Sequence, residues 1–300
     1  MKKVIPITLI ALIFLVGLGV LSYPLVSSVV NNLNDRSQAY QTQAEIETMP
    51  QKEIDAYIAG AEKYNASLTG TIVLTDPFDK AAYEQIGAHY EETLDLGGGL
   101  MGYVDIPKIN VYLPIYHGTS EEILSIGAGH LNNTSMPIGG IGTHCVITGH
   151  SAYPSKTFFD YLTDMKEGDA FYLHVLDKTL KYRVNQIKVV LPDQVSDLFI
   201  SEDKDYCTLV TCTPYSVNTH RLLVRGERVE NDKFDEEEAF DGTIKSIKAD
   251  DGAIFFLGYK LSYLETALII GGFVLVVTII VIMAIRHSRK KKKTHKGEDS

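Results

Sequence analysis

The stretch DYCTLVTCTPYSVNTHRLLVRGERV, residues 205–229, is the most informative part of the chain for its fold. It contains two short runs rich in β-branched and aliphatic residues, 205–212 and 221–229, separated by turn-forming residues. This pattern predicts two β-strands joined by a turn. Similar runs occupy 102–109, 111–117, 142–150, 169–176 and 180–191, whereas 120–129 and 156–168 have the pattern of short helices. Many short strands with few helices predict a mainly β fold, either a closed barrel or a sandwich.

The composition sets limits on the class of protein. The chain has 300 residues, of which 45% are hydrophobic and 22% charged, so a sizeable core is possible and wholesale disorder is excluded. The formal net charge of −10 argues against a nucleic acid as the main partner. Three cysteines are too few, and odd in number, for a fold built on disulfides.

Two apolar stretches near the ends of the chain predict membrane segments. Residues 4–34 and 266–285 carry no charge, and about 20 apolar residues suffice to cross a bilayer. We therefore expect a signal anchor within 1–35 and a transmembrane helix at 265–286. Basic residues flank both stretches on their outer sides, at Lys2 and Lys3 and within 286–293. This arrangement predicts that both termini are cytoplasmic and that the acidic middle lies outside the cell.

The part between the apolar stretches divides by composition. Residues 36–98 include apolar side chains at helical spacing, which predicts an extracellular helical region. The strand-rich part covers 99–230, and an acidic connector covers 231–264. A basic cytoplasmic tail is expected at 287–300.

Cys212 has the position that thiolate chemistry requires. A reactive cysteine lies at the end of an element, partly exposed, near a cation that lowers the pKa of its thiol. Thr213 and Pro214 end the predicted strand just after Cys212, and Arg221 opens the next strand. Cys145 lies inside an apolar strand, which is typical of a buried thiol.

The choice of a histidine partner stays open at the level of the residues, because His130, His144, His150 and His220 all lie in or near this region. In a regular strand His144 and His150 share one face, and two histidines with a cysteine are ligands suited to zinc. Their spacing matches no zinc motif, however. His220, beside Arg221, is more typical of a structural histidine.

Together these motifs resemble the sortases, the membrane-anchored cysteine transpeptidases of Gram-positive bacteria. The resemblance rests on TLVTC at 208–212 followed by Arg221, with TGH at 148–150. The longer stretches 130–151 and 208–228 are similar to the class C, pilin-polymerising sortases, as is LTDPFDK at 74–80. The resemblance implies an eight-stranded β-barrel with N-terminal helices and a lid, flanked by two transmembrane helices.

The resemblance also implies roles for individual residues. Cys212 would be the nucleophile, His150 the general acid and base, and Arg221 the group that stabilises the oxyanion. The substrates would be pilin subunits with an LPXTG-like sorting signal, which is cleaved between Thr and Gly and joined to a pilin lysine. No cofactor and no metal are expected.

The lid is a further expectation from the resemblance. Asp76 would face Arg221 and Phe78 would cover Cys212, so that the resting enzyme is closed. The same residues are also compatible with a simple Asp-Pro turn that leaves Phe78 exposed.

Three other functions stay open. A sortase that attaches proteins to the cell wall would use an amine of a peptidoglycan precursor instead of a pilin lysine. A membrane-tethered cysteine hydrolase would use water. A non-enzymatic adhesion or sensor domain would keep Cys212 only as a core residue.

Overall fold

A computed structural model describes residues 4–68, 75–80, 89–154, 156–230, 246–256, 259–262, 264–272 and 278. The chain divides into two compact units, of which the first contains residues up to 247 together with 255–259. The long helices and the barrel described below belong to this first unit.

Two long helices precede the barrel. Helix α1 covers Val4–Thr48 and contains Pro24, and helix α2 covers Gln51–Ser67. Pro50 occupies the N-cap of α2, where the absence of an N–H costs no helical hydrogen bond. A third, short helix α3 covers Glu121–Leu124, and its first turn is capped by the Ser120 side chain, which accepts a hydrogen bond from Ile123 N–H.

Eight strands of the described part close into a barrel, in the order β1-β2-β3-β4-β7-β8-β6-β5. The expected barrel is thus confirmed, and the alternative of a sandwich is wrong. Its strands are β1 Leu100–Ile106, β2 Val111–His117, β3 Ala128–His130, β4 Thr143–Thr148, β5 Ala170–Val175, β6 Lys178–Val190, β7 Asp205–Thr213 and β8 His220–Arg228.

The barrel strands pair mostly antiparallel, but β2–β3 and β4–β7 are parallel. Side chains such as Leu113, Ile147, Leu209 and Val224 are fully buried and supply the core. Three short strands follow along the chain: β9 Ser246–Lys248, β10 Ile254–Phe256 and β11 Tyr259–Leu261.

The predicted helix at 120–129 is wrong in its second half, because the helix ends at Leu124 and strand β3 begins at Ala128. Glycine explains the difference, because a Cβ atom on Gly129 would lie 2.3 Å from the carbonyl oxygen of Gly118. A Cβ on Gly127 would lie 2.7 Å from the carbonyl oxygen of Pro114. These close approaches let a three-residue strand pair with β2, which the local sequence pattern does not indicate.

The predicted helix at 156–168 is also wrong, since only a 3-10 turn at Leu162–Asp164 forms there. The Asp160 carboxylate accepts hydrogen bonds from the backbone N–H groups of Ala152 and Phe158, at 3.0 and 2.9 Å. Phe158 and Phe159 are fully buried. Burial of these aromatic rings and local hydrogen bonds of the aspartate therefore outweigh the helical pattern.

Helix α1 continues without a break through residue 35, and part of it packs on the barrel unit. Ser28 and Asp35 are buried. Ser28 Oγ lies 2.9 Å from Thr157 Oγ1, and Asp35 Oδ2 lies 2.6 Å from Lys156 Nζ. The C-terminal part of the predicted anchor region 1–35 therefore carries buried polar residues that contact the loop after β4.

Within the described residues, no helix combines the length and the apolar character that a membrane crossing requires. The membrane helices predicted within 1–35 and 265–286 are accordingly not confirmed. Most of the second segment lies outside the described residues, as do the basic tail at 287–300 and the first half of the acidic connector.

Candidate active site

The parallel pairing of β4 and β7 brings two of the predicted site residues to the same end of the barrel. Their register extends from Thr143 opposite Asp205 to Thr148 opposite Val210. Strand β4 ends two residues before His150, and β7 ends one residue after Cys212. Because the strands are parallel, their C-terminal ends are adjacent, and both residues lie at that end of the sheet.

The antiparallel pairing of β7 and β8 adds the third residue. Cys212 lies directly opposite Arg221, and directly paired residues project from the same face of the sheet. The structure therefore brings all three predicted residues, His150, Cys212 and Arg221, to one end of the barrel. Cys145 and Cys207 are paired in register nearer the start of β4 and β7 and are buried, as was predicted for Cys145.

The Asp76 carboxylate binds the Arg221 guanidinium in a bidentate ion pair. Arg221 donates from Nε to Asp76 Oδ1 at 2.7 Å and from Nη2 to Asp76 Oδ2 at 2.6 Å. Its Nη1 donates to the carbonyl oxygens of Asn218 and His220, both at 3.0 Å. Bidentate charged hydrogen bonds of this kind are short and strong. The expected contact between Asp76 and Arg221 is thus present.

Phe78 lies between the arginine and the histidine. The Arg221 Cζ atom is 4.9 Å from the centre of the Phe78 ring, and the ring centres of Phe78 and His150 are 5.8 Å apart. Phe78 also packs on the apolar cluster that contains Val190 and Val210. Residues 76–79 do form a turn, closed by Asp79 N–H donating to the Asp76 carbonyl oxygen. Phe78 is nevertheless partly buried, so the alternative of a turn with an exposed phenylalanine is wrong; coverage of Cys212 itself stays a prediction.

Cys212 has a thiol that this arrangement keeps protonated. The residue is only 9% exposed, and burial raises the pKa of its thiol to about 11. The positive charge of Arg221 lowers the pKa of Cys212, and the negative charge of Asp76 raises it. At neutral pH very little of this thiol is the nucleophilic thiolate.

His150 lies in an aromatic environment with acidic residues nearby. Its ring stacks on Tyr153, with ring centres 5.4 Å apart, and its Nε2 atom lies 3.4 Å from Glu121 Oε2. Burial lowers the pKa of His150, while Glu121 and Asp160 act in the opposite direction. Sequence reasoning missed Glu121 and Tyr153. Glu121 is 29 residues away along the chain, and no local pattern connects it to the histidine.

His144 is engaged elsewhere. Its Nδ1 lies 2.9 Å from the carbonyl oxygen of Phe199, and its Nε2 lies 2.7 Å from Thr208 Oγ1. Burial lowers the pKa of His144 to about 4. Among the residues that the structure describes, no group of three or more His, Cys, Asp or Glu side chains is arranged to hold a metal ion. The zinc alternative therefore has no support.

Comparison with known proteins agrees with this geometry. A family model described as the sortase domain matches residues 104–229. The crystal structure of sortase C-1 from Streptococcus pneumoniae is 43% identical in sequence and superposes with a TM-score of 0.61, covering 65% of this chain and 100% of its own. The chain belongs to the sortase family.

Other sortases are similar to different extents. The structure titled pilus-related sortase C of group B Streptococcus is 46% identical, with a TM-score of 0.57 and coverage of 66% of this sortase and 96% of its own chain. Sortase D of Bacillus subtilis (strain 168) is 30% identical over 135 residues, which are 44% of this chain. This sortase spans 65% of the length of that curated relative.

Loss of the ion pair between Asp76 and Arg221 should change the reactivity of the Cys212 thiol. The negative charge of Asp76 raises the pKa of Cys212, and Asp76→Asn removes that charge. The same substitution releases Arg221, whose positive charge lowers the pKa of Cys212. The pKa of Cys212 should therefore fall, and alkylation by iodoacetamide at pH 7.5 should accelerate about tenfold, since one pKa unit changes the thiolate fraction tenfold. The measurement is the rate of mass gain as a function of pH.

Two controls accompany that measurement. Asp193→Asn makes the same charge change at an exposed site and should leave the rate unchanged. Cys212→Ala should abolish rapid labelling, because Cys145 and Cys207 are buried. An unchanged pH profile in Asp76→Asn would show that the ion pair does not restrain the thiol.

Proposed function

We propose that this sortase is a cysteine transpeptidase that polymerises pilin subunits. Cys212 is the nucleophile, His150 is the general acid and base, and Arg221 stabilises the oxyanion. The donor substrate is a pilin with an LPXTG-like sorting signal, and the acceptor is a lysine amine of another pilin. The product is an isopeptide bond between subunits.

The reaction consists of two acyl transfers. The Cys212 thiolate attacks the threonine carbonyl carbon of the sorting signal, and the negative charge that develops on the oxygen is met by the Arg221 guanidinium. The bond between Thr and Gly then breaks, and His150 protonates the leaving glycine amine. A deprotonated lysine amine attacks the resulting thioester and gives one proton to His150, the amide bond forms, and the Cys212 thiolate leaves. The chemistry needs no cofactor.

The observation that carries this proposal is the bidentate binding of Asp76 by Arg221. A carboxylate presents two negatively charged oxygens to the Nε and Nη2 donors, at 2.7 and 2.6 Å. A tetrahedral intermediate presents the same kind of charge to the same kind of donor. Arg221 lies opposite Cys212 in the sheet. Once Asp76 has left, the guanidinium is thus free to bind an oxyanion that forms at Cys212.

The same contact supports a gated enzyme. While Asp76 and Phe78 occupy the site, Arg221 is neutralised and the Cys212 thiol stays protonated. Opening of residues 75–80 would free the guanidinium and admit the sorting signal. A closed resting state also keeps water, the competing nucleophile, away from the site.

The polymerising class is favoured over wall anchoring by similarity. The solved structures with 43% and 46% identity are titled sortase C-1 and pilus-related sortase C, whereas the curated sortase D is 30% identical over a shorter stretch. One structural feature agrees with this class: Asp76, in the sequence Asp-Pro-Phe, forms an ion pair with Arg221.

Incubation of the full chain, purified in detergent, with a pilin that carries an LPXTG-like tail tests the proposal. The expected result is a ladder of covalent pilin multimers on a denaturing gel, faster with Asp76→Asn and absent with Cys212→Ala. Replacement of the pilin acceptor lysines by arginine should stop the ladder but leave cleavage of the tail. Cleavage followed only by transfer to a peptidoglycan-type amine would contradict pilin polymerisation and indicate wall anchoring.

We further propose that this sortase is held at the cell membrane, with the barrel outside and both termini cytoplasmic. The uncharged stretches 4–34 and 266–285 and their basic outer flanks support this arrangement. Anchoring would let enzyme and membrane-anchored substrates meet in two dimensions.

Protease treatment of intact protoplasts that express the chain with a tag at each end tests this topology. The barrel should be digested from outside, while both tags stay protected until the membrane is lysed. Release of the barrel by high-salt washing without detergent would contradict the proposal.

A further inference from the structure

The residues next to His150 and Cys212 are connected by a reciprocal pair of side-chain hydrogen bonds. The Thr211 hydroxyl donates to the carbonyl oxygen of Gly149 at 2.7 Å, and the Ser151 hydroxyl donates to the carbonyl oxygen of Cys212 at 2.8 Å. We propose that Ser151 and Thr211 are positioning residues that fix the spacing between the histidine and the cysteine. This inference rests on the proposed function, and we call the two hydrogen bonds the hydroxyl clamp.

The hydroxyl clamp lies just beyond the last backbone hydrogen bond between β4 and β7. The register of β4 and β7 ends at Thr148 and Val210, and one more backbone bond follows, from Gly149 N–H to the Val210 carbonyl oxygen at 3.0 Å. Strand β7 continues along β8, but the chain of β4 leaves the sheet. His150 therefore lies just beyond the last backbone link, and the side chains of Ser151 and Thr211 extend the connection past it.

Both hydroxyls are shielded from water. Thr211 is 2% exposed and Ser151 is 8% exposed. A buried carbonyl oxygen that loses its donor is not readily compensated by solvent, so the backbone shifts to find another partner. Removal of either hydroxyl should thus move a segment that carries His150 or Cys212.

An aromatic ring also packs closely against Gly149. A Cβ atom on Gly149 would lie 2.7 Å from the Phe159 ring, which is fully buried. The chain before His150 is consequently restrained by both Phe159 and the clamp. Small displacements of reacting groups have large kinetic effects, since about 1 Å can cost on the order of 100-fold in rate.

The test compares steady-state cleavage of an LPXTG-type peptide by variants of the full chain in detergent. Ser151→Ala and Thr211→Val should each lower kcat by about 10- to 100-fold while KM changes less than about twofold, because the clamp acts on reacting groups rather than on binding. Ser151→Thr and Thr211→Ser keep a hydroxyl and should recover most of the activity.

A matched control separates positioning from general stability. Thr134 is also buried, and its hydroxyl donates to the Leu131 carbonyl oxygen at 2.6 Å in the connection between β3 and β4. Thr134→Val should lower the melting temperature as much as the clamp variants do, with kcat within about twofold of the wild type. An equal loss of kcat in Thr134→Val, or wild-type kcat in Ser151→Ala and Thr211→Val, would overturn the inference.

Failure of the proposed function is recognisable in the same experiment, because the wild type and Asp76→Asn would then cleave no peptide. In that case the clamp is tested by alkylation of Cys212 in the Asp76→Asn background. The Ser151 hydroxyl binds the carbonyl oxygen of Cys212, so the clamp variants should change the alkylation profile of the Cys212 thiol and Thr134→Val should not. Coincident profiles for all variants would contradict the clamp.

Discussion

Strand β7 pairs on both of its edges, and the candidate active site depends on this arrangement. Its parallel register with β4 brings the end of one strand, just before His150, beside the strand that contains Cys212. Its antiparallel register with β8 sets Arg221 opposite the same cysteine. A slip of one residue in either register would turn side chains to the other face of the sheet. Three chemical groups from three separate segments are therefore brought together by the pairing of one strand, and the buried core of the barrel keeps that pairing fixed.

The charge of Arg221 connects the structure to its proposed regulation. In the closed arrangement it forms an ion pair with Asp76 and contacts the face of Phe78. The same cation would stabilise an oxyanion and favour the Cys212 thiolate when Asp76 moves away. One arginine would thus serve either the lid or the reaction, and the two uses would exclude each other. Under this proposal the lid would compete with the transition state for the guanidinium, in addition to blocking access.

The sequence predicted most of the barrel and placed Cys212 and Arg221 at strand ends, whereas His150 was chosen among four histidines only through the resemblance to sortases; the differences from the structure have physical causes. Seven of the barrel strands have clear apolar runs, but β3 is three residues long and depends on the close approach of Gly129 to the chain at Gly118. The segment around Asp160 has a helical pattern that buried aromatic rings and hydrogen bonds of the aspartate override. The contacts of Glu121 and of the hydroxyl clamp join distant segments, so no local pattern shows them, and Tyr153 stacks on His150 only because of the turn that follows β4. The arginine contact of Asp76 was expected only from the resemblance to class C sortases.

The central claim is that Cys212, His150 and Arg221 act together once Asp76 has left Arg221. Intact-mass measurement of a single turnover in Asp76→Asn, with an LPXTG-type peptide and no acceptor amine, tests it most directly. The account predicts an acyl adduct confined to Cys212, which forms faster than in the wild type and at least about 100-fold more slowly when His150→Ala or Arg221→Ala is added. An adduct on Cys145 or Cys207, or adduct formation that is unaffected by loss of Arg221, would contradict it.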